Sequence, residues 1–139
     1  MIQRTLVVLK PGVVERRLVG KILEKIEGDG LSIVALKVVK LGLEEAERLY
    51  EVHRGKPFFR DLVDYVASGP VVAAVFEGAD AVNVVRRICG LTDPSKAGAG
   101  TIRGDFGVSI TRNAIHAADS AESAETEIAL FFGSHELAS

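Results

Sequence analysis

The chain has 139 residues, of which 47% are hydrophobic and 26% charged, and its formal net charge is −2. These values are typical of a globular protein and do not indicate binding to nucleic acid or to an anionic membrane. The single cysteine, Cys89, excludes an intramolecular disulfide and a cysteine-based zinc site. No apolar run approaches the ~20 residues of a membrane span, and the first residues lack the apolar core of a signal peptide. The length predicts one domain, residues 1–139, and we expect a cytoplasmic protein.

Short apolar strands and amphipathic helices alternate along the first 89 residues. The segment 3–9 is apolar and rich in β-branched residues, which predicts a buried strand. Apolar residues then recur every four positions from Val14 to Ile26, which predicts one helix that Gly28 and Gly30 terminate. The other elements predicted in this part are a strand at 31–41, helices at 43–52 and 57–68, a strand at 71–78 and a helix at 79–89.

Residues 90–113 contain five glycines and one proline but no sustained periodicity. A loop of this length in a compact domain is either functional or a sign of misassigned elements. A short strand at 114–117 and a helix at 120–132 follow it. The resulting order, β-α-β-α-α-β-α-loop-β-α, predicts a sheet covered by helices, and periodicity alone does not separate the α/β from the α+β class.

The common nucleotide-binding and metal-binding motifs are absent. No Walker A sequence occurs, and the glycines of GAGTIRGDFG (98–107) have neither the spacing nor the strand–helix setting of a dinucleotide loop. No His-x-x-x-His motif or pair of spaced carboxylates indicates a metal site held by protein side chains.

Polar residues at unusual places are the remaining candidates for chemistry. Lys10 follows the first strand, at a common position for ligand contacts, although a solvated strand end is the more common explanation for a lysine there. Arg86 lies late in a helix, where a cation also suits the helix dipole. Arg103 and Arg112 belong to the Gly-rich loop, where exposure is expected.

One carboxylate and one imidazole form a more specific pair. At about 100° per residue, Glu127 lies on the inner face of the last helix with Ala124 and Phe131, toward the strand that carries His116. A carboxylate bound to an imidazole sets its tautomer and orientation, as a nucleophile or a base requires. The alternative is an exposed glutamate or a salt bridge at the rim. Together with the four basic residues named above and a Gly-rich loop, this pair favours the hypothesis that the protein transfers phosphoryl groups.

The assembled residues resemble the nucleoside diphosphate kinase family over nearly the whole chain. The matching segments are TLVVLKPG (5–12), GKPFF (55–59), SGPVVA (68–73), GLTDPSKAGAGTIRGDF (90–106) and RNAIHAADSAESAETEI (112–128). The resemblance implies a ferredoxin-like α+β sandwich, in which helices cover a four-stranded antiparallel sheet and the long Gly-rich loop precedes the last strand. Residues 43–68 fit the helical hairpin of that fold.

The resemblance also implies a chemistry and a role for each site residue. His116 would take the γ-phosphoryl group of a nucleoside triphosphate and pass it to a nucleoside diphosphate in a ping-pong cycle, with Mg²⁺ bound through the nucleotide phosphates. Glu127 would orient His116, with Tyr50 near the imidazole. The implied nucleotide contacts are Lys10 to ribose and phosphate, Asn113 to the 3′-hydroxyl, Arg86, Thr92 and Arg103 to phosphates, and Phe58 with Leu62 to the base.

Relatives of this kind form dimers that assemble into tetramers or hexamers, so the resemblance implies a homo-oligomer. Apolar residues of the Gly-rich loop, namely Leu91, Ile102 and Phe106, fit such contacts if they are exposed, and they fit a loop that packs on itself nearly as well. The alternatives are a catalytically weak relative that acts as a nucleotide sensor or scaffold, and a regulatory domain without nucleotide chemistry.

Three positions depart from the family pattern. Gly12 stands where an aspartate is usual, Val52 where an acidic residue is common, and Ala118 where a serine would support the carboxylate–imidazole pair. Loss of one such hydrogen bond corresponds to roughly 0.5–1.5 kcal/mol, so the activity is expected to survive it.

Overall fold

The computed structural model describes residues 2–109 and 112–138. It contains four strands: β1 (Ile2–Leu9), β2 (Ser32–Lys40), β3 (Pro70–Ala79) and β4 (Ile115–Ala117). Its helices are α1 (Pro11–Glu15), α2 (Val19–Glu27), α3 (Leu43–Leu49), α4 (Phe59–Val66), α5 (Ala81–Cys89), α6 (Ile102–Phe106) and α7 (Ala121–Phe131). Two short 3₁₀ turns, Glu51–His53 and Ser134–Glu136, follow α3 and α7.

The four strands form one antiparallel sheet in the order β2-β3-β1-β4. The central strand β1 pairs with β3 along its whole length and with β4 at its C-terminal end. This topology confirms the predicted α+β, ferredoxin-like class. It also brings the end of β1 beside β4, although more than 100 residues separate them in sequence.

Hydrophobic cores lie on both faces of the sheet, because β1 is apolar at every position from Leu6 to Leu9. Leu6 and Val8 pack with residues of α3, α4 and α7 on one face. Val7 and Leu9 pack with residues of α2, α5 and α6 on the other. Since side chains alternate along a strand, β4 can direct Ile115 into the second core and His116 toward the opposite face.

The helix predicted from Val14 to Ile26 is in fact two helices. Arg17 lies between them with φ of 60°, a left-handed conformation that ends α1. The apolar spacing nevertheless continues across the break. Ile22 and Ile26 in α2 are both fully buried and still face the sheet. Periodicity therefore predicted the buried face but not the interruption.

The Gly-rich loop at 90–113 contains the short helix α6, which the sequence did not predict. The Thr101 side chain caps it by accepting a hydrogen bond from the Gly104 N–H at 3.1 Å. Ile102 is fully buried in the core beneath β1, so the interpretation of it as an exposed subunit contact is wrong. Phe106 packs against the same core, and Leu91 is exposed. Residues 110 and 111 of the predicted loop lie outside the described residues.

Candidate active site

A cavity of about 440 Å³ opens where β1, β4, α7 and the turn after α3 meet. The structure brings together all ten residues to which the family resemblance gives a role in the site. These lining residues are Lys10, Tyr50, Phe58, Leu62, Arg86, Thr92, Arg103, Asn113, His116 and Glu127. Arg112, the fourth cation of the phosphoryl-transfer hypothesis, does not line this cavity, and its guanidinium carbon lies 5.2 Å from the centroid of the Tyr65 ring.

His116 and Glu127 form a short hydrogen bond at the inner wall of this cavity. The imidazole Nε2 lies 2.6 Å from Glu127 Oε1, and their side chains are only 14% and 13% exposed. Because a carboxylate only accepts hydrogen bonds, Nε2 carries the proton and donates it. The neutral imidazole then has its lone pair on Nδ1, the nitrogen needed for nucleophilic attack.

Local structure explains why Glu127 reaches the histidine. The Ser120 hydroxyl caps α7 by accepting a hydrogen bond from the Ser123 N–H at 3.0 Å. Ala124 and Ile128 on the inner face of α7 are buried, and Glu127 lies between them along the helix. The helix thus presents one carboxylate toward β4, as its periodicity predicts.

Tyr50 packs against the imidazole from the end of α3. The two ring centroids are 5.4 Å apart at an interplanar angle of 86°, an edge-to-face arrangement. Burial raises the pKa of Tyr50 above its usual value, so its hydroxyl stays protonated. That hydroxyl is buried and has no hydrogen-bond partner among the described residues. It can therefore donate a hydrogen bond to a bound group.

Lys10 is a buried cation at the end of β1. The residue is only 2% exposed, and its ammonium nitrogen lies 5.9 Å from the centroid of the Tyr50 ring. Burial and, to a smaller extent, repulsion by Arg103 lower the pKa of Lys10 to about 7. An anion in this cavity would favour the charged form of the lysine.

Arg103 is held in a fixed orientation by main-chain carbonyl groups. Nη1 donates to Gly90 O at 2.9 Å and Nη2 donates to Ile115 O at 3.2 Å. Burial, and repulsion by Arg86, lower the pKa of Arg103. Its Nε is buried without a hydrogen-bond partner in the part of the chain that the structure describes. Because the carbonyl groups that hold this guanidinium are neutral, they do not compensate its positive charge, which can attract an anionic ligand.

Asn113 is 3% exposed and connects the Gly-rich loop to β4. Its Nδ2 donates to Thr92 O at 3.3 Å. Its Oδ1 is buried and accepts no hydrogen bond from any described residue. This oxygen is available to a donor such as a hydroxyl group.

The mouth of the cavity is apolar. Phe58, in the turn before α4, is 38% exposed, whereas its neighbour Phe59 is buried in the core. Leu62, one turn into α4, is 8% exposed. An exposed aromatic ring beside an aliphatic side chain provides a flat surface on which a planar ligand can stack.

The sequence analysis did not select His53, although it lines the cavity. Its ring centroid lies 5.3 Å from that of Phe58, and its Nδ1 is buried without a hydrogen-bond partner among the described residues. Burial lowers the pKa of His53, with a smaller contribution from Lys56. No periodic pattern marks a residue in a 3₁₀ turn, so the sequence offered no signal. Asp119 and Ser123 also line the cavity and were not selected.

Two of the three departures have a structural explanation. The Tyr65 hydroxyl accepts a hydrogen bond from Gly12 N–H at 3.0 Å and would clash with any Cβ at position 12. Tyr65 thereby satisfies a free amide at the start of α1, where an aspartate side chain would be suited to do so. Ala118 is 1% exposed and packs with Val82 and Ala124 in a small apolar cluster. Val52, by contrast, is 70% exposed at the cavity mouth.

Two kinds of feature are absent from residues 2–109 and 112–138. No group of three or more His, Cys, Asp or Glu side chains is arranged to hold a metal ion. No helix there combines the length and the hydropathy needed to cross a membrane.

Comparisons with known proteins agree over nearly the full chain. The nucleoside diphosphate kinase family model matches residues 3–137. The nucleoside diphosphate kinase of Thermoplasma acidophilum is 53% identical over 137 residues, which cover 99% of this chain and 93% of that one. The Ignicoccus hospitalis nucleoside diphosphate kinase is 56% identical over 135 residues, which cover 97% of this chain and 92% of that one.

Solved structures give the same result. The Aquifex aeolicus nucleoside diphosphate kinase superposes on this chain with a TM-score of 0.95 at 45% identity, and the match covers 99% of each chain. The enzyme from Halobacterium salinarum, solved in complex with CDP, has a TM-score of 0.95 at 44% identity and covers 100% of this chain and 93% of that one. Sequence, fold and cavity thus agree, and the chain belongs to the nucleoside diphosphate kinase family.

Proposed function

We propose that this chain, acting as a single cytoplasmic domain over residues 1–139, transfers the γ-phosphoryl group of a nucleoside triphosphate, mainly ATP, to a nucleoside diphosphate. The transfer proceeds in two steps through a phosphohistidine at His116 and maintains the pools of nucleoside and deoxynucleoside triphosphates. The observation that carries the proposal is the 2.6 Å contact of His116 Nε2 with Glu127, in a cavity that also holds three cations.

The lone pair on His116 Nδ1 attacks the γ-phosphorus in the first step. A P–N bond forms while the bond to the oxygen of the β-phosphate breaks, and a nucleoside diphosphate leaves. In the second step a terminal oxygen of another diphosphate attacks the same phosphorus and the P–N bond breaks. Lys10, Arg86 and Arg103 stabilise the charge on the transferring group, and Glu127 stabilises the imidazole.

The other lining residues position the nucleotide. Phe58 stacks on the base and Leu62 packs beside it, while Asn113 binds the 3′-hydroxyl through its open Oδ1. Thr92 contacts a phosphate. Because stacking uses a ring face that every base presents, we expect purine and pyrimidine nucleotides to be accepted. The Halobacterium salinarum relative was solved with CDP, a pyrimidine nucleotide.

Mg²⁺ is expected to bind together with the nucleotide, because the complex of the two is the substrate. The described carboxylates at the cavity are Asp119 and Glu127, and Glu127 is already bonded to His116. One remaining carboxylate suits a cation whose other ligands are phosphate oxygens and water.

Initial-rate kinetics test the two-step reaction. Rates measured against ATP concentration at several fixed concentrations of dCDP should give parallel double-reciprocal lines, because no complex of both nucleotides forms. GDP and CDP should both serve as acceptors. Intersecting lines would show transfer in a ternary complex, and nucleotide binding without turnover would favour a sensor or scaffold.

We also propose a homo-oligomer, a hexamer or tetramer built from dimers. Strand β2 lies at the end of the sheet and exposes Leu36 and Val38, which are 50% and 66% exposed. An apolar strand at a sheet edge is suited to pairing with another chain. Leu91 of the Gly-rich loop is a third exposed apolar residue. Sedimentation velocity distinguishes these assemblies from a monomer.

Nucleotide binding is expected to take up protons through Lys10. The pKa of this lysine is about 7 in the free protein, so at pH 8 most molecules carry the neutral amine. A bound phosphate favours the ammonium form, and binding of ADP should therefore take up close to one proton at pH 8 and much less at pH 6. Calorimetry in buffers of different ionisation enthalpy measures this number. Lys10→Arg, which stays charged, is the control and should show no proton uptake at pH 8, where the phosphates of ADP are already fully ionised.

The substitution Ala118→Ser is expected to change turnover little. A serine hydroxyl near the Glu127–His116 pair adds at most one hydrogen bond, roughly 0.5–1.5 kcal/mol or about tenfold in rate. Ala118 packs with Val82 and Ala124, so the hydroxyl would enter an apolar cluster, which reduces the gain. Steady-state kcat should show a modest increase or none. A hundredfold loss would mean that the geometry proposed for the site is wrong.

A further inference from the structure

A second cavity, of about 350 Å³, lies directly beside the active-site cavity. The two share Arg86, Thr92, Arg103 and Ala117 in their walls, so the cavities adjoin at these residues. The second cavity also includes Arg87 and Lys96, two cations that the proposed phosphoryl transfer does not use.

The wall of this second cavity is positively charged and contains no carboxylate among its described residues. Arg86, Arg87, Lys96 and Arg103 line it, together with small or apolar residues and Thr92. The ion pairs found in the described part of the chain involve other basic residues and none of these four. Arg86, Arg87 and Arg103 form no ion pair among the described residues, whereas Lys96 is close enough to Asp93 to lower the pKa of that carboxyl. The three guanidinium groups still create a local field that favours an anion.

The same wall offers nothing that recognises a nucleoside. None of its described residues has an aromatic side chain on which a base could stack, unlike the active-site cavity with Phe58. Its described residues include no carboxylate or side-chain amide to accept a hydrogen bond from a ribose hydroxyl. The ligand that fits this chemistry is a chain of phosphates without a base or a sugar.

We propose that the second cavity is a binding site for inorganic polyphosphate, with tripolyphosphate as a short representative. The chain of phosphates runs from the shared guanidinium groups of Arg86 and Arg103 to Arg87 and Lys96. Because Arg86 and Arg103 serve both cavities, polyphosphate and nucleotide compete for them. The expected competition rests on the proposed function, because that proposal gives Arg86 and Arg103 their contacts with nucleotide phosphates. Binding of polyphosphate itself does not rest on it, because binding requires no turnover.

Calorimetric titration with sodium tripolyphosphate tests the site, in magnesium-free buffer so that chelation does not interfere. Wild-type protein should bind tripolyphosphate, and ADP should weaken that binding. The double variant Arg87→Ala/Lys96→Ala should bind tripolyphosphate at least about tenfold more weakly, because it loses two cationic contacts. Its affinity for ADP should stay within about twofold of wild type.

The matched control is the double variant Lys21→Ala/Arg48→Ala, which removes the same residue types and the same charge. Lys21 is exposed and lines neither cavity, and Arg48 forms a surface pair with Glu44. Both affinities should stay near wild type in this control. The proposal is overturned if wild type does not bind tripolyphosphate, if both double variants lose the same affinity, or if Arg87→Ala/Lys96→Ala weakens ADP as much as tripolyphosphate. Turnover plays no part in this measurement, so failure of the phosphohistidine mechanism gives a separate result.

Discussion

Replacement of His116 by alanine is expected to lower turnover by at least about 10⁴-fold, since the reaction loses its nucleophile. The imidazole is the group in the cavity whose tautomer is set by a carboxylate, through the 2.6 Å bond to Glu127. Its side chain lines an open cavity rather than filling a hydrophobic core, so a smaller residue should cause only a moderate loss of stability. Steady-state rates with ATP and a diphosphate acceptor measure the effect, and circular dichroism checks the fold.

Two other histidines provide controls for this prediction. His53 lies at the same cavity, but none of the described carboxylates is bonded to its ring, and His135 lies in the exposed turn after α7. His135→Ala should keep wild-type kcat, and His53→Ala should keep most of it and change mainly KM. If His53→Ala abolishes turnover while His116→Ala retains it, the nucleophile has been assigned to the wrong histidine.

Glu127→Gln is expected to lower kcat by roughly 10²- to 10⁴-fold with little change in structure. The glutamine has the same shape but offers both an acceptor and a donor to His116 Nε2. When its amide donates, the imidazole proton moves to Nδ1 and the attacking lone pair is lost. The amide also fails to stabilise the charge that develops on the ring. Binding of ADP should change much less than kcat, because Glu127 holds the histidine rather than the nucleotide.

Glu122→Gln is the matched control for this substitution. It lies in the first turn of the same helix, is exposed and faces away from β4. Its kcat should equal that of wild type. The ¹⁵N chemical shifts of His116 should also report a change of tautomer in Glu127→Gln alone. Wild-type kcat in Glu127→Gln would show that the carboxylate does not prepare the nucleophile.

The order of elements and the inner face of the last helix could be predicted from residue spacing. The run of β-branched residues before Lys10 predicted β1, and the helical phase of α7 predicted that Glu127 faces β4. Both inferences depend on local periodicity, which each segment carries in its own sequence. The order of the strands in the sheet is a long-range property, so the fold class came from the family resemblance instead.

Features determined by single backbone conformations or by tertiary contacts could not be predicted. The left-handed conformation of Arg17 divides α1 from α2 without changing the apolar spacing on either side. The buried position of Ile102 depends on how α6 folds back onto the core, which no periodicity in the Gly-rich loop indicates. His53 reaches the cavity because the chain leaves α3 in a 3₁₀ turn, and only the structure reveals that path.

Incubation of the protein with γ-³²P-labelled ATP tests the central claim most directly. Wild-type protein should retain a label that is stable in alkali and lost in acid, as expected for phosphohistidine, and either ADP or GDP should remove it. His116→Ala should carry no label under the same conditions. Equal labelling of wild type and His116→Ala would contradict the assignment of His116 as the group that carries the phosphoryl.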